Sequence, residues 1–329
     1  MTLQIESLSV RYGTGRNSLV AVDNVDLVVP TGGTLGLVGE SGCGKSTVAR
    51  AVVGLAPVAA GRILLGNEDF TPVRVRNRPQ FRRRVQMIFQ DPYSSLNPRQ
   101  TIGNMLSDVL RGVGLNRTQR RQESLRILDL VGLPASTLGR YPHQFSGGQR
   151  QRISIARALA VKPEIIICDE VTSALDMSVQ ATVLNLLKEL QRELHLSLLF
   201  ISHDLATVQY MSDEVAVMYL GRIVERAPIT ELFGDPRHPY ARALISSSPT
   251  FGTEKKPAPL SGDLPDPAHP PSACRFRTRC PVGPLHDPER TICREIDPQL
   301  DAPNRIHQAA CHFANDPVPA AAAVPVTIS

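Results

Sequence analysis

The sequence predicts an α/β fold with a smaller appendage at its C-terminal end. Up to about residue 245, short apolar runs typical of buried strands alternate with segments whose apolar residues recur at helical spacing. A glycine-rich stretch joins the strand-like run Thr34–Val38 to the helix-compatible run Val48–Val53, as expected between a parallel strand and the helix that follows it. The chain has 329 residues, 42% of them hydrophobic, which suffices for a full α/β core and a second, smaller unit.

The glycine-rich stretch, GESGCGKS at Gly39–Ser46, has the features of a phosphate-binding loop. Glycines let successive backbone N–H groups face a polyphosphate at the start of a helix, where the helix dipole favours anions. Lys45 is expected to reach the β- and γ-phosphates, and the Ser46 hydroxyl to bind Mg²⁺. We therefore predict a nucleoside triphosphate site formed by Gly39, Glu40, Ser41, Gly42, Cys43, Gly44, Lys45, Ser46 and Thr47.

A second apolar run, Ile165–Cys168, ends in two acidic residues, Asp169 and Glu170. The pattern predicts a buried parallel strand that delivers both carboxylates to the carboxyl edge of the sheet. We expect Asp169 to hold Mg²⁺ through water and Glu170 to orient or deprotonate the attacking water. A pair of acids at a helix N-terminus is the alternative, and the strand-like residues before the pair disfavour it.

The segment Phe145–Ala160, FSGGQRQRISIARALA, predicts a capped helix whose start can bind an anion. An SGGQ sequence about twenty residues before the second strand resembles the signature of the ATP-binding cassette (ABC) family. The resemblance implies that two cassettes pair head to tail and enclose each ATP between them. The residues that would contact ATP on the phosphate loop of the other cassette are Ser146, Gly147, Gly148 and Gln149.

Other positions match the same family one at a time. The resemblance assigns adenine stacking to Tyr12, contact with Mg²⁺ and the attacking water to Gln90, contact between the two cassettes to Asp176 in Ser173–Asp176, and contact with the γ-phosphate to His203. Glu170, His203 and Gln90 would then form the catalytic set. The family usually has proline directly after the catalytic glutamate, whereas this chain has Val171, a departure that concerns loop rigidity and not the chemistry.

Two further strings, DPYSSLNPR at Asp91–Arg99 and HPYARALISSSP at His238–Pro249, resemble those of the ATP-binding subunits of dipeptide and oligopeptide importers. The resemblance covers about 310 of the 329 residues and extends to His312. It implies an ATPase that energises peptide import at the cytoplasmic face of the cell membrane. The implied partners are a second ABC ATPase subunit, two transmembrane permease subunits and an extracytoplasmic peptide-binding protein.

The expected domain organisation follows from the resemblance and from a change in composition. Fifteen of the 27 prolines lie in the last 81 residues, which predicts turns and extended segments there. The expected parts are an ABC ATPase domain at 1–245 with a helical subdomain inserted at about 91–160, a Cys- and Pro-rich C-terminal module at 246–313, and a disordered tail at 314–329.

The six cysteines fall into two groups. Cys43 and Cys168 lie in the nucleotide domain and are interpreted as small packing residues. The other four lie in the proline-rich segment, where a reducing cytoplasm favours a metal over disulfides. Their separations are wider than those of paired zinc ligands, which leaves zinc as the second choice. The four-cysteine pattern of peptide-importer ATPases implies a [4Fe–4S] cluster at Cys274, Cys280, Cys293 and Cys311, with His312 outside the ligand set.

Composition limits the remaining possibilities. No apolar stretch approaches the length needed to cross a bilayer, and the first residues lack the pattern of a secretory signal, so we expect a peripheral cytoplasmic protein. The net charge of +5 is modest and no nucleic-acid-binding motif accompanies it, so we expect no nucleic-acid partner. A basic run is interpreted as a solvated face, with headgroup or nucleic-acid contact as the minor alternative: Arg74, Arg76, Arg78, Arg82, Arg83 and Arg84.

Three other functions are compatible with parts of the pattern. The same ATPase could serve another solute, such as a metal chelate, glutathione or a sugar, because an extracytoplasmic receptor selects the cargo. A non-transport ABC ATPase of DNA repair or translation is a second class, although a tandem cassette or coiled-coil insertion is absent from the sequence. A redox-sensing binding module is the third, and the presence of both Glu170 and His203 argues against an inert cassette.

Overall fold

The computed structural model describes residues 1–13, 18–71, 79–247, 264–300, 305–314 and 316. The strands in these residues are β1 (Leu3–Tyr12), β2 (Leu19–Val29), β3 (Thr34–Val38), β4 (Val58–Leu65), β5 (Glu68–Asp69), β6 (Val85–Ile88), β7 (Ile165–Asp169), β8 (Ser197–Ile201), β9 (Glu214–Tyr219), β10 (Arg222–Pro228) and β11 (Gln308–Ala309). The α-helices are α1 (Lys45–Val52), α2 (Pro79–Arg84), α3 (Pro92–Ser95), α4 (Ile102–Gly112), α5 (Arg117–Leu130), α6 (Gly147–Leu159), α7 (Met177–Leu194), α8 (Leu205–Met211), α9 (Ile229–Gly234), α10 (Pro239–Ser246) and α11 (Ile292–Glu295).

The described strands form two sheets. The larger has the order β6–β7–β8–β3–β9–β10–β11; its first five strands are parallel, and β10 and β11 are antiparallel to their neighbours. The smaller is antiparallel, in the order β2–β1–β4–β5. This combination confirms the predicted α/β class and adds an antiparallel sheet that the sequence reading did not specify.

The central parallel strands are buried on both faces, which explains why they read as continuous apolar runs. Along β7, Ile165 and Ile167 pack in the cluster that faces the antiparallel sheet and α1, whereas Ile166 and Cys168 pack in the opposite cluster, with the helices. The strand predicted at 165–168 is confirmed to within one residue as β7. Cys168 is fully buried, in keeping with the packing role predicted for it.

Local capping fixes the starts of the two helices that frame the site. Ser146 caps α6 in a capping box with Gln149, so the predicted N-cap is confirmed. Asp176 caps α7 by accepting a hydrogen bond from the Val179 N–H at 3.0 Å. The helix α7 therefore begins directly after this cap, at Met177.

The connection from β6 to β7 is helical in the described chain, with α3 to α6 between two neighbouring strands. It occupies the range 91–160 in which we expected a helical subdomain.

Of the basic run, Arg74, Arg76 and Arg78 lie outside the described residues, while Arg84 pairs with Glu164 at 2.6 Å. No described helix combines the length and apolar character needed to cross a membrane.

The C-terminal residues pack on the cassette and share its core. Phe276 is 2% exposed, and its ring lies 5.2 Å from that of Tyr219 on β9 and 5.5 Å from that of Tyr240 on α10. β11 extends the main sheet by pairing with β10. In the region expected to form a separate module after residue 245, Phe276 is therefore buried against β9 and α10. Most of the predicted disordered tail lies outside the described residues.

A buried carboxylate joins this appendage to the cassette. Glu225 on β10 is fully buried and accepts hydrogen bonds from the His238 N–H at 2.7 Å and the Arg237 N–H at 2.8 Å. Its other contact is His307 Nε2, 2.7 Å away, from the residue before β11. These bonds satisfy a carboxylate that would otherwise be costly to bury.

Acid is expected to destabilise the fold through His238. Burial lowers the pKa of this imidazole from 6.5 to about 3, with the charge of Arg242 as a second cause. Below pH 6.5 His238 is therefore protonated in the unfolded chain but stays neutral in the folded chain down to about pH 3. The free energy of unfolding consequently falls as the pH falls. Between pH 6.5 and 4.5 this one group should remove about 2 to 3 kcal/mol from the free energy of unfolding.

His238→Asn isolates that contribution, because an asparagine side chain can still accept the Tyr240 N–H that Nδ1 accepts at 3.0 Å, yet does not titrate. Urea unfolding of both proteins across this pH range measures the difference between their slopes. Parallel pH dependences would show that His238 does not carry the effect.

Candidate active site

The predicted site residues follow the carboxyl ends of four adjacent strands. The phosphate-binding loop follows β3, Asp169 ends β7, Gln90 lies two residues after β6, and His203 lies two residues after β8. Because β6, β7, β8 and β3 are neighbours and parallel, all four positions fall at one edge of the sheet. This is the edge at which open α/β sheets bind ligands.

The loop Gly39–Thr47 passes directly into α1, which begins at Lys45. Gly44 has φ of 111°, and a Cβ there would lie 2.4 Å from the Ala21 carbonyl oxygen, so only glycine fits. Lys45 is 4% exposed, and its Nζ donates to the carbonyl oxygens of Gly39 at 2.8 Å and Glu40 at 2.9 Å. The ammonium group therefore lies within the curve of the loop, where the predicted phosphates would bind.

Two oxygen ligands suited to Mg²⁺ meet across the sheet edge. The Ser46 hydroxyl donates to Asp169 Oδ1 at 2.8 Å, although the residues are 123 positions apart. Burial raises the pKa of Asp169, while the hydrogen bond from Ser46 acts to lower it. Hydroxyl and carboxylate oxygens are hard donors of the kind that Mg²⁺ prefers, so this pair fits the predicted ion.

Glu170 contacts both of the other residues in the predicted catalytic set. Its Oε2 accepts from Gln90 Nε2 at 2.8 Å, and its Oε1 lies 3.3 Å from His203 Nδ1. The backbone of Glu170 is left-handed, with φ of 49°, a conformation rare for a residue other than glycine and often found at functional sites. One carboxylate thus connects the ends of β6, β7 and β8.

The signature motif lies apart from these contacts. Ser146 and Gln149 bond to each other, and Gly148 lies against Val179 so closely that a Cβ would come within 2.3 Å of its Cγ1. Across the described ranges, no hydrogen bond joins this motif to Gly39–Thr47. Within one chain, the hydrogen bonds of the predicted ATP-contacting residues therefore fall into two separate groups.

Tyr12, the predicted adenine-stacking residue, ends β1. Its side chain is half-buried and packs against the hydrophobic cluster that includes residues of β1, β2 and α1. Cys43 is 1% exposed, and burial raises the pKa of its thiol, as suits a packing residue. Ser41 and Gly42 lie in the loop before α1, and Thr47 lies in the first turn of α1.

Sequence reasoning missed two residues that contact the phosphate-binding loop from far along the chain. The Tyr240 hydroxyl accepts from the Glu40 N–H at 2.8 Å, across 200 positions. The Arg279 guanidinium pairs with the Glu40 carboxylate across 239 positions. Tyr240 lies in the HPYARAL string already singled out for its resemblance, whereas no local pattern marks Arg279.

The metal centre expected at the four C-terminal cysteines receives no support from the geometry. Among the described residues, which include all four, no group of three or more His, Cys, Asp or Glu side chains is placed to hold a metal ion. Two of the cysteines are nevertheless neighbours: the Cys274 N–H donates to the Cys293 carbonyl at 3.2 Å.

Comparison with known proteins identifies the family. The family model described as ABC transporter matches residues 22–173, and that of the oligopeptide/dipeptide transporter C-terminal region matches residues 224–284. The chain is 48% identical over 300 residues to the oligopeptide transport ATP-binding protein OppF of Salmonella typhimurium, covering 89% of this chain and 88% of that protein. The chain belongs to the ABC transporter family, among its peptide-transport ATP-binding proteins.

A second relative and a solved structure agree with this assignment. The oligopeptide transport ATP-binding protein AppF of Bacillus subtilis is 46% identical over 299 residues, 89% of each chain. A dimeric structure of the ATP-binding cassette MJ0796 in a post-hydrolysis state, bound to ADP and Pi, superposes with a TM-score of 0.63 at 26% identity, covering 69% of this chain and 98% of that one. The protein is an ABC ATPase, and ATP and Mg²⁺ suit its site.

Proposed function

We propose that this protein hydrolyses ATP to energise the import of oligopeptides or dipeptides across the cell membrane, as a peripheral subunit on its cytoplasmic face. The observation that carries the proposal is the meeting of Lys45, Ser46, Asp169 and Glu170 at one sheet edge of a chain that also matches the C-terminal region of oligopeptide transporters. The names of its relatives favour peptides over metal chelates, glutathione or sugars.

Each residue at the sheet edge has a definite part in this proposal. Lys45 exchanges its bonds to the Gly39 and Glu40 carbonyls for phosphate oxygens, and Ser46 and Asp169 hold Mg²⁺. Bound Mg²⁺ would neutralise charge on the phosphates. Glu170 orients the attacking water and accepts its proton, while Gln90 and His203 hold this carboxylate in place by direct contact.

The separation of the signature motif from the loop supports a head-to-tail pair of cassettes. In that arrangement Ser146–Gln149 of one cassette covers ATP on the loop of the other, Asp176 lies between the two, and Tyr12 stacks on adenine. The second cassette is a further ABC ATPase subunit, and the remaining partners are two transmembrane permease subunits and an extracytoplasmic peptide-binding protein. We retain 1–245 as the ATPase domain and 246–313 as the C-terminal region of this proposal.

Purification of the tagged chain from its own membranes in mild detergent tests the assembly. The expected result is stoichiometric recovery of two permease subunits and a second cassette. Recovery of the chain from the soluble fraction alone, or with nucleic-acid-processing proteins, would contradict a role in transport.

We also propose that Cys274, Cys280, Cys293 and Cys311 ligate a [4Fe–4S] cluster. What supports this is the donor set: four cysteine thiols lie between residues 274 and 311, and those of Cys274, Cys280 and Cys293 are buried. In such a cluster each thiolate binds a different iron, so the sulfurs need not converge as closely as around a single zinc ion. The cluster would cross-link a segment with few apolar residues.

Anaerobically purified protein is then expected to be brown and to contain about four irons per chain. Replacing any of the four cysteines with serine should remove the colour and expose residues 264–316 to proteolysis. Cys43→Ser and Cys168→Ser are the matched controls and should keep the colour. Stoichiometric zinc without iron would overturn the cluster, and absence of any metal would overturn the cross-link.

A further inference from the structure

Glu40, the second residue of the phosphate-binding loop, is held at three different atoms. Its N–H donates to the Tyr240 hydroxyl at 2.8 Å, and its carbonyl accepts from Lys45 Nζ at 2.9 Å. Its carboxylate accepts two parallel bonds from Arg279, at 2.8 and 3.0 Å. A bidentate pair of this kind fixes orientation as well as distance. Two of the three attachments come from the C-terminal third of the chain.

Arg279 is a buried side chain and not an exposed one that extends over the loop. Its side chain is 7% exposed, against 28% for Glu40, and its Cζ lies 5.9 Å from the centre of the Tyr219 ring. A buried guanidinium is costly unless it is paired, and Glu40 provides the partner. The pair therefore holds Arg279 and the phosphate-binding loop together.

The same segment reaches the loop by a second route. Arg275 donates to the Leu220 carbonyl and to Asp23. Gly221, which follows Leu220 in the chain, donates its N–H to the carbonyl of Cys43 in the phosphate-binding loop at 2.8 Å. Between these two arginines, Phe276 packs against Tyr240, whose hydroxyl accepts from Glu40. Arg279 thus contacts the loop at Glu40, and Arg275 bonds to Leu220, the neighbour of the glycine that bonds to Cys43.

Charge gives this support a consequence for nucleotide binding. A carboxylate on a loop that receives a polyphosphate repels its ligand unless a cation neutralises it. Glu40 carries the one carboxylate of this loop, and its backbone carbonyl accepts a hydrogen bond from Lys45, the residue assigned to the phosphates. Arg279 supplies the compensating charge from a segment that the two-cassette arrangement does not otherwise use.

We propose that Arg279 is a positioning residue for nucleotide binding, which orients the phosphate-binding loop and neutralises Glu40 from the C-terminal segment. This rests on the proposed nucleotide site and extends it: Arg279 becomes part of the structure that sets ATP affinity. The C-terminal region then serves the ATPase itself, in addition to any contact with partner subunits.

The test is titration of the full chain with a fluorescent ATP analogue in Mg²⁺. Arg279→Gln should weaken binding about tenfold, equal to about 1.4 kcal/mol, because Glu40 is left uncompensated and the loop loses its support. The double variant Arg279→Gln with Glu40→Gln should recover most of the lost affinity, because it removes the stranded carboxylate. Arg277→Gln is the matched control, since Arg277 donates to Ser272 within its own segment and should leave the affinity unchanged.

Recovery in the double variant separates positioning from a purely structural effect, since a misfolded segment would not be rescued by a change at Glu40. Unchanged affinity in Arg279→Gln, or a double variant as weak as the single one, would overturn the inference. Failure of the wild-type chain to bind the analogue would instead overturn the proposed nucleotide site.

Discussion

Glu170→Gln is expected to lower steady-state ATP hydrolysis in the assembled transporter by about a hundredfold or more while ATP still binds. The change removes the base yet keeps the size of the side chain, and the amide can still bond to Gln90, which Glu170 contacts at 2.8 Å. The closed pair of cassettes should therefore accumulate with ATP inside. Phosphate release and gel filtration with ATP measure the two effects.

Glu189→Gln is the control for this experiment, because Glu189 is exposed on α7 and the same change there should leave turnover intact. Near-normal turnover in Glu170→Gln would remove Glu170 from its assigned role.

Lys45→Ala and Ser146→Arg are expected to separate nucleotide binding from closure of the cassette pair. Lys45→Ala deletes the buried cation at the centre of the loop and should abolish measurable binding. Ser146→Arg changes a residue that bonds within its own motif, so the isolated chain should bind ATP normally and fail only to pair. Nucleotide titration of the isolated chain and ATP-dependent dimerisation distinguish them.

Lys188→Ala serves as the control for loss of a lysine, since Lys188 lies over the Tyr210 ring and is not among the predicted site residues. If Ser146→Arg weakened binding to the isolated chain as much as Lys45→Ala, the head-to-tail arrangement would be wrong.

Much of the cassette could be predicted because its information is local. A buried strand such as β7 and the loop before α1 each carry their pattern within about ten residues. Parallel order then brings Asp169, Gln90 and His203 to one edge. The contacts of Glu170 with Gln90 and His203 follow from the order of the strands. The family resemblance implies that order, whereas composition alone does not imply it.

The contacts made by the C-terminal residues could not be predicted in this way. Arg279 and Glu40 are 239 positions apart, and neither residue type nor spacing distinguishes Arg279 from Arg277 beside it. The packing of Phe276 against Tyr240 likewise depends on how the chain returns to β9 after leaving the main domain. Proline content indicates turns there, but it does not indicate which surface the turns cover.

The central claim is that this ATPase energises peptide import, and peptide-dependent hydrolysis tests it most directly. The complex purified with this chain would be reconstituted in liposomes with its binding protein, and phosphate release measured with and without peptide. A peptide-loaded binding protein is expected to raise hydrolysis, and Glu170→Gln is expected to abolish the increase. Stimulation by a chelate or sugar but not by any peptide would contradict it.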